Sequence, residues 1–213
     1  MPGHSDEYSG PSRSVRSYVV RAGRTTPAQH RALHELWPRW GLEAGGGVLD
    51  LDPVFGRSAP RVLEIGFGNG EALVALARAH PDTDYLGIEV HPPGIGRLLT
   101  ALARHEVDNV RVLRGDAAVL LECCLAPASL TRINLWFPDP WPKKRHHKRR
   151  LVQPDFIALA ASRLRPGGVL HLATAWAPYA VPMDAAQARV PGLRPAAPEA
   201  AADRVRERPR THF

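Results

Sequence analysis

The chain has 213 residues, 44% of them hydrophobic, and a formal net charge of +7. That length suits one α/β domain with a substantial core and falls short of two ordinary domains. No apolar run approaches the roughly 20 residues that cross a bilayer, and the polar start, Met1 to Arg16, lacks the apolar stretch of a signal peptide, so a cytoplasmic protein without a membrane span is expected.

Residues 1–24 are low in large apolar side chains and scattered with arginine, which predicts a disordered basic tail. The single folded domain is expected over 25–213. Thr26-Pro27 reads as a helix start, with Thr as N-cap and Pro at the first helical position. Leu33, Leu36, Trp37 and Trp40 recur near helical spacing, which predicts one helix over 26–40. A loop rich in Gly, Asp and Pro follows from Gly45 to Pro60.

From Arg61 short apolar runs alternate with helical patterns. Strands are predicted at 61–65, 84–90, 110–114, 131–137 and 169–174, with helices near 70–80, 93–105, 117–125 and 153–164. Strands separated by single helices indicate βαβ units, hence an α/β, Rossmann-like fold with a mostly parallel sheet and helices on both faces. Arg165-Pro166-Gly167-Gly168 reads as a turn into the last of these strands. Cys123 and Cys124 are neighbours; a bridge between adjacent residues is strained, so both are expected as reduced thiols with no metal role.

Chemistry concentrates at the strand ends. In Leu63-Glu64-Ile65-Gly66-Phe67-Gly68-Asn69-Gly70 a strand runs into a glycine loop that opens a helix, and Gly66 and Gly68 allow close approach of a ligand. A dinucleotide fingerprint would place Gly or Ala at position 71, which is Glu71 here. Glu64 beside the loop would repel a pyrophosphate but suits the cationic amino group of a methionine moiety. Taken alone, the loop fits a structural turn as well as a ligand site. Glu89 ends the second strand of the series, where it can accept ribose hydroxyls, and Asp116 follows the third, where it can accept from an adenine amino group. Each acid alone fits a solvated strand end. Together, at successive carboxyl ends, they outline a site for S-adenosylmethionine.

The fourth strand ends in Phe137-Pro138-Asp139-Pro140-Trp141, and Lys143 to Arg150 then carry six Lys or Arg, two histidines and no acid. Most of the charge excess therefore sits in one patch beside the inferred site. Cations interleaved with aromatic rings suit RNA, through phosphate pairing and base stacking.

These residues resemble the bacterial tRNA (guanine-N7)-methyltransferases, over about residues 15–213. The resemblance rests on Leu63 to Gly68, on Gly87-Ile88-Glu89-Val90-His91, on Phe137 to Trp141 with Lys143 and Arg145-His146-His147-Lys148-Arg149-Arg150, and on Leu172-Ala173-Thr174-Ala175-Trp176-Ala177-Pro178-Tyr179-Ala180. It implies a class I methyltransferase fold with its cofactor core over 61–180. Glu64, Gly66, Gly68, Glu89, Asp116 and Asp139 would then contact S-adenosylmethionine, with Asp139 catalytic. Lys143 and Thr211 would contact the substrate, and Arg145, His146, His147, Lys148, Arg149 and Arg150 the RNA. The implied product is 7-methylguanosine at position 46 of tRNA, made without a metal by a monomer or homodimer.

Two positions depart from the family pattern. Ala175 stands where the family carries Asp, which binds the target guanine. Thr211-His212-Phe213 enters the family's Thr-Lys-Phe-Glu motif, and the sequence stops before the Glu and the final strand beyond it. The expectation is a fold truncated at its C-terminal end, with a sheet edge left unpaired. Guanine presents donors at N1 and N2, so carboxylates are its natural acceptors and two are missing here. The alternative function is thus a tRNA-binding protein that keeps the cofactor pocket but turns over little.

Overall fold

The apolar runs from Arg61 onward form the strands they predict. The computed structural model describes residues 17–18, 25–200 and 207–209, so the predicted tail lies outside the described residues except for Ser17 and Tyr18, and so does Thr211. In chain order the elements are α1 (Pro27–Glu35), α2 (Trp37–Trp40), β1 (Gly41–Leu42), α3 (Leu51–Phe55), β2 (Arg61–Ile65), α4 (Glu71–Ala79), β3 (Asp84–Glu89), α5 (Pro92–Arg104), β4 (Val110–Arg114), α6 (Ala117–Cys124), β5 (Leu130–Trp136), α7 (Pro154–Arg163), β6 (Leu164–Ala173) and α8 (Ala177–Ala188). Every strand pairing described is parallel, in the order β1-β4-β3-β2-β5-β6.

From β2 the chain builds outward through β3 and β4, then returns to place β5 and β6 on the other side of β2. That reversal opens a crevice above the carboxyl ends of β2 and β5, the position where open α/β sheets bind ligands. Both sheet faces are covered. Leu63, Ile65, Leu86, Ile88, Ile133 and Leu135 pack on α6, α7 and α8 through Leu120, Phe156 and Tyr179. Val62, Tyr85, Val110 and Val112 pack on the opposite layer through Leu73, Leu98 and Trp40. All six residues of β3 are buried, so this strand is shielded on both faces. Each such side chain contributes about 1.5–3 kcal/mol on burial.

Four local expectations are corrected. The helix over 26–40 starts as foreseen: Thr26 accepts from Gln29 N–H, and the Gln29 side chain accepts from Thr26 N–H. It breaks after Glu35, because Pro38 has no N–H to continue the ladder. The loop at 45–60 contains α3, capped by Asp50 and ended by Gly56 at φ 70°. The turn at 165–168 lies inside β6 as a bulge, since Leu130 pairs with Leu164 while Arg132 already pairs with Val169. Finally, α8 goes unforeseen because Pro182 sits in its interior; buried Tyr179, Met183 and Ala186 hold it to the core. Cys123 and Cys124 are free thiols, as expected.

Candidate active site

The glycine loop has the backbone its sequence demands. Gly66 and Gly68 lie at φ 70° and 58°, a region costly for residues with a Cβ. The loop is tied to β3 from two sides. Gly66 N–H donates to Ile88 O at 2.8 Å, and Gly68 N–H donates to Glu89 Oε2 at 2.9 Å. The second oxygen of Glu89 accepts from Val90 N–H at 2.7 Å and His91 N–H at 3.1 Å. Three backbone donors therefore hold one carboxylate, which shapes the loop and leaves little spare acceptor capacity for a ribose.

Glu64 has the opposite environment. It lies two residues before Gly66, on the face opposite Leu63 and Ile65, in register with Asn134 of β5. Its side chain is buried, and among the described residues Oε2 has no hydrogen-bond partner. Burial raises its pKa to about 8; Arg132 opposes the rise and Glu89 adds to it. An orphaned buried carboxyl is costly unless a cation or donor meets it. That vacancy in hydrogen bonding fits an ammonium group.

Asp116 serves the fold as N-cap of α6, with Oδ1 accepting from Ala118 N–H at 2.9 Å and Val119 N–H at 3.4 Å. Its neighbours Gly115 and Ala117 line the central cavity. The loop after β5 is stiffened by Pro138 and Pro140 and held at both ends by aromatic residues with left-handed backbone, Phe137 at φ 54° and Trp141 at φ 44°. Positive φ is a genuine outlier for residues of this size, and such strain persists only where surrounding contacts hold it. Phe137 N–H donates to Ala173 O, and Trp141 Nε1 donates to Ser17 O. Asp139 is thereby presented, exposed, in the cavity wall.

Two hollows meet at this point. One, about 240 Å³, runs between Glu89, Gly115 and Asp139; the other, about 330 Å³, runs between Glu64, Asn69 and Arg208. They share Gly66, Trp136 and Phe137. A separate hollow of about 510 Å³ lies at the amino-terminal end of β3 around Arg57, Asp84 and Asn109, and contains none of the candidate residues.

The basic run folds as a 3-10 turn over Lys144–Arg149. Lys143, Lys144, Arg145 and Lys148 are exposed. Trp141 anchors the turn, with the Arg149 guanidinium 5.0 Å from its ring and the His146 ring edge-on at 5.7 Å. Desolvation, then Arg145, Arg149 and Lys143, hold the His146 imidazole below its ordinary value. Arg150 stands apart from the expected RNA contact. It is buried, donates from Nε to Pro140 O at 2.9 Å and lies over the Tyr179 ring at 4.6 Å. It braces the Asp139 loop from within. Tyr179 also accepts from Val152 N–H, so its place in the 172–180 motif has a structural reason.

Sequence reasoning missed the polar row beside Glu64. Arg132 donates to Asn134 Oδ1 at 2.8 Å and to Glu207 Oε2 at 2.9 Å, and pairs with His171 Nδ1 at 3.1 Å. Arg132 and Asn134 inside the strand Leu130 to Trp136 were the available signal. Ala175 is exposed where β6 passes into α8. Among the described residues no group of three or more His, Cys, Asp or Glu could hold a metal ion, and no helix is long and apolar enough to cross a membrane.

A twisted parallel sheet, a glycine loop at its switch point and acids above the strand ends define a Rossmann-like methyltransferase domain. The family described as "Putative methyltransferase" matches residues 58–209. A precorrin-6y C5,15-methyltransferase from Geobacter metallireducens shares the fold, with a TM-score of 0.50 at 13% identity over 75% of this chain and 67% of its own. The tRNA (guanine-N(7)-)-methyltransferase of Stutzerimonas stutzeri is 49% identical across 100% of this chain and 90% of its own length. Those of Alkalilimnicola ehrlichii and Methylococcus capsulatus are 56% and 57% identical over 84% and 81% of this chain, and over 76% and 74% of their own lengths. The chain belongs to the tRNA (guanine-N7)-methyltransferase family.

Proposed function

We propose that this protein methylates N7 of guanine in tRNA with S-adenosylmethionine as cofactor, and that its target is guanine 46. The observation that carries the reading is the position of Asp139, in the cavity wall immediately before an exposed cationic turn. The reading places the protein with tRNA in the cytoplasm, as a monomer or homodimer.

When bound, S-adenosylmethionine supplies an electrophilic methyl group on a sulfonium. The N7 lone pair of guanine is unprotonated at neutral pH, so no side chain has to act as general base. What the chain supplies is position and charge. Glu64 meets the cationic amino group, Gly66 and Gly68 admit the cofactor against the backbone, and Glu89 and Asp116 frame the nucleoside end. Asp139 orients the guanine and stabilises the purine as it becomes cationic. Lys143 and, from outside the described residues, Thr211 hold the substrate, while Arg145, His146, His147, Lys148 and Arg149 engage the RNA backbone.

Purified protein, methyl-labelled cofactor and unmodified tRNA test the proposal. Labelled 7-methylguanosine at position 46 is the expected product; intact tRNA binding with no label would instead support the second reading, a tRNA-binding protein with little turnover. Ala175, in place of an acceptor for guanine, is the observation that favours that second reading.

A further inference from the structure

The cationic turn follows β5 on one side of β2, and α5 lies on the other side, where it connects β3 to β4. Over Pro92–Arg104 this helix contains no acidic residue. Ile95, Leu98, Leu99 and Leu102 bury its inner face, whereas Arg97, Thr100 and Arg104 are exposed. Spacings of three and seven residues put those three on one face, with the two arginines about 10 Å apart along the axis. Arg97 is tied to the site: its Nη1 donates to Asn69 Oδ1 at 2.6 Å, and Asn69 borders the hollow that Glu64 lines. A guanidinium has five N–H donors, so one such bond orients the group without exhausting it. Gly96 lets the backbone of α1 come close at Gln29, and α1 adds exposed His30, Arg31 and His34 beside the stripe. The exposed acids nearby are Glu35 on α1, Glu71 on α4 and Glu106 just past α5.

Exposed arginines on a helix are commonly just solvated. What distinguishes this stripe is its place. It starts at the rim of the hollow, on the half of the sheet opposite the one that carries the Lys144–Arg149 turn. A base drawn out of its stack into a hollow brings its strand over the rim on both sides. Cations on the second side then meet the phosphates there, and Arg grips a phosphate through two parallel donors. We propose that the α5 face from Arg97 to Arg104 is a second tRNA-backbone contact, holding the strand on the side of the target guanine away from the cationic turn. Arg97 takes the phosphate nearest the site, and Arg104 takes one farther along. The inference rests on tRNA as the substrate.

Salt dependence reads phosphate contacts directly, because each neutralised phosphate releases counterions. Fluorescence anisotropy with labelled, unmodified tRNA over a salt series compares the wild-type protein, Arg97→Ala, Arg97→Lys and Arg104→Ala. Each Ala variant is expected to lower the slope of log affinity against log salt by roughly one, and to weaken binding about three- to tenfold. Arg97→Lys keeps the charge and should keep the slope. Thermal melts and cofactor calorimetry on each variant separate a phosphate contact from loss of the bond to Asn69. An unchanged slope at Arg97→Ala would overturn the contact. If melting or cofactor affinity fell at that variant with the wild-type slope retained, Arg97 would be only a brace for Asn69. Slopes that fall as expected with no 7-methylguanosine formed would refute the proposed function and leave this surface standing.

Discussion

Glu89 Oε2 accepts the N–H of Gly68 at 2.9 Å across the gap between β3 and the glycine loop. With Val90 and His91 donating to Oε1, one carboxylate sets the positions of two segments beside the cavity that Asp139 also lines. Replacing Glu89 with Gln puts an amide donor among three backbone donors. Hydrogen bonds to a charged group are worth about 1.5–3 kcal/mol, so cofactor affinity should fall by at least about tenfold, and the melting temperature by several degrees. Calorimetry and a thermal scan check both; a loss of affinity with unchanged melting would show that Glu89 acts on the ligand alone.

Cofactor binding is expected to be proton-linked through Glu64. Its carboxyl is raised to about 8 by burial in the unliganded fold, against an ordinary value near 4.3 when unfolded. The folded state therefore binds the extra proton between those values. Stability of the unliganded protein from this group is full below the unfolded value and is lost as pH rises toward 8. An ammonium partner favours the ionised form, so cofactor binding below pH 8 should release a proton and tighten as pH rises. Calorimetry in buffers of different ionisation enthalpy measures that release. Glu64→Gln should abolish it, and a Gln variant with the wild-type pH profile would contradict the assignment.

The cationic turn and the buried Arg150 should separate under salt. Neutralising Lys144, Arg145 or Lys148 removes an exposed charge and should lower the slope of log affinity for tRNA against log salt by roughly one each. Arg150→Ala breaks the bond to Pro140 O and the stack on Tyr179. It should lower melting temperature first and leave the salt slope near wild type. Equal slope changes at 148 and 150 would return Arg150 to the RNA surface.

Ala175 offers a gain-of-function test. An Asp at 175, exposed at the end of β6, would supply an acceptor for the guanine edge. One charge-assisted hydrogen bond corresponds to about ten- to hundredfold. Ala175→Asp should raise kcat/KM for tRNA by that order without changing cofactor affinity. No change in kcat/KM would show that guanine recognition does not depend on this position.

The boundaries of β2, β4 and the helices between them follow from residues 61–125 with little tertiary help, because alternating apolar runs leave one way to bury them. The glycine loop was legible for the same local reason: its glycines lie at positive φ, where few other residues fit. Shorter or Pro-containing elements were not. Asp50 and Gly56 cap a five-residue helix that composition reads as loop, and α8 survives Pro182 because Tyr179 and Met183 are buried.

Sequence by itself determined the cofactor class and the placing of Glu64, Glu89, Asp116 and Asp139 at strand ends, since strand order and chain direction bring those ends to one edge of a parallel sheet. What each carboxylate does there depended on its neighbours in space. Glu89 and Asp116 are occupied by backbone donors, whereas buried Glu64 keeps Oε2 without a partner among the described residues, and Arg150 turns inward to Pro140 and Tyr179 while Lys143, Lys144, Arg145 and Lys148 are exposed. Burial and hydrogen-bond satisfaction come from residues distant in sequence, so only the tertiary structure could decide them.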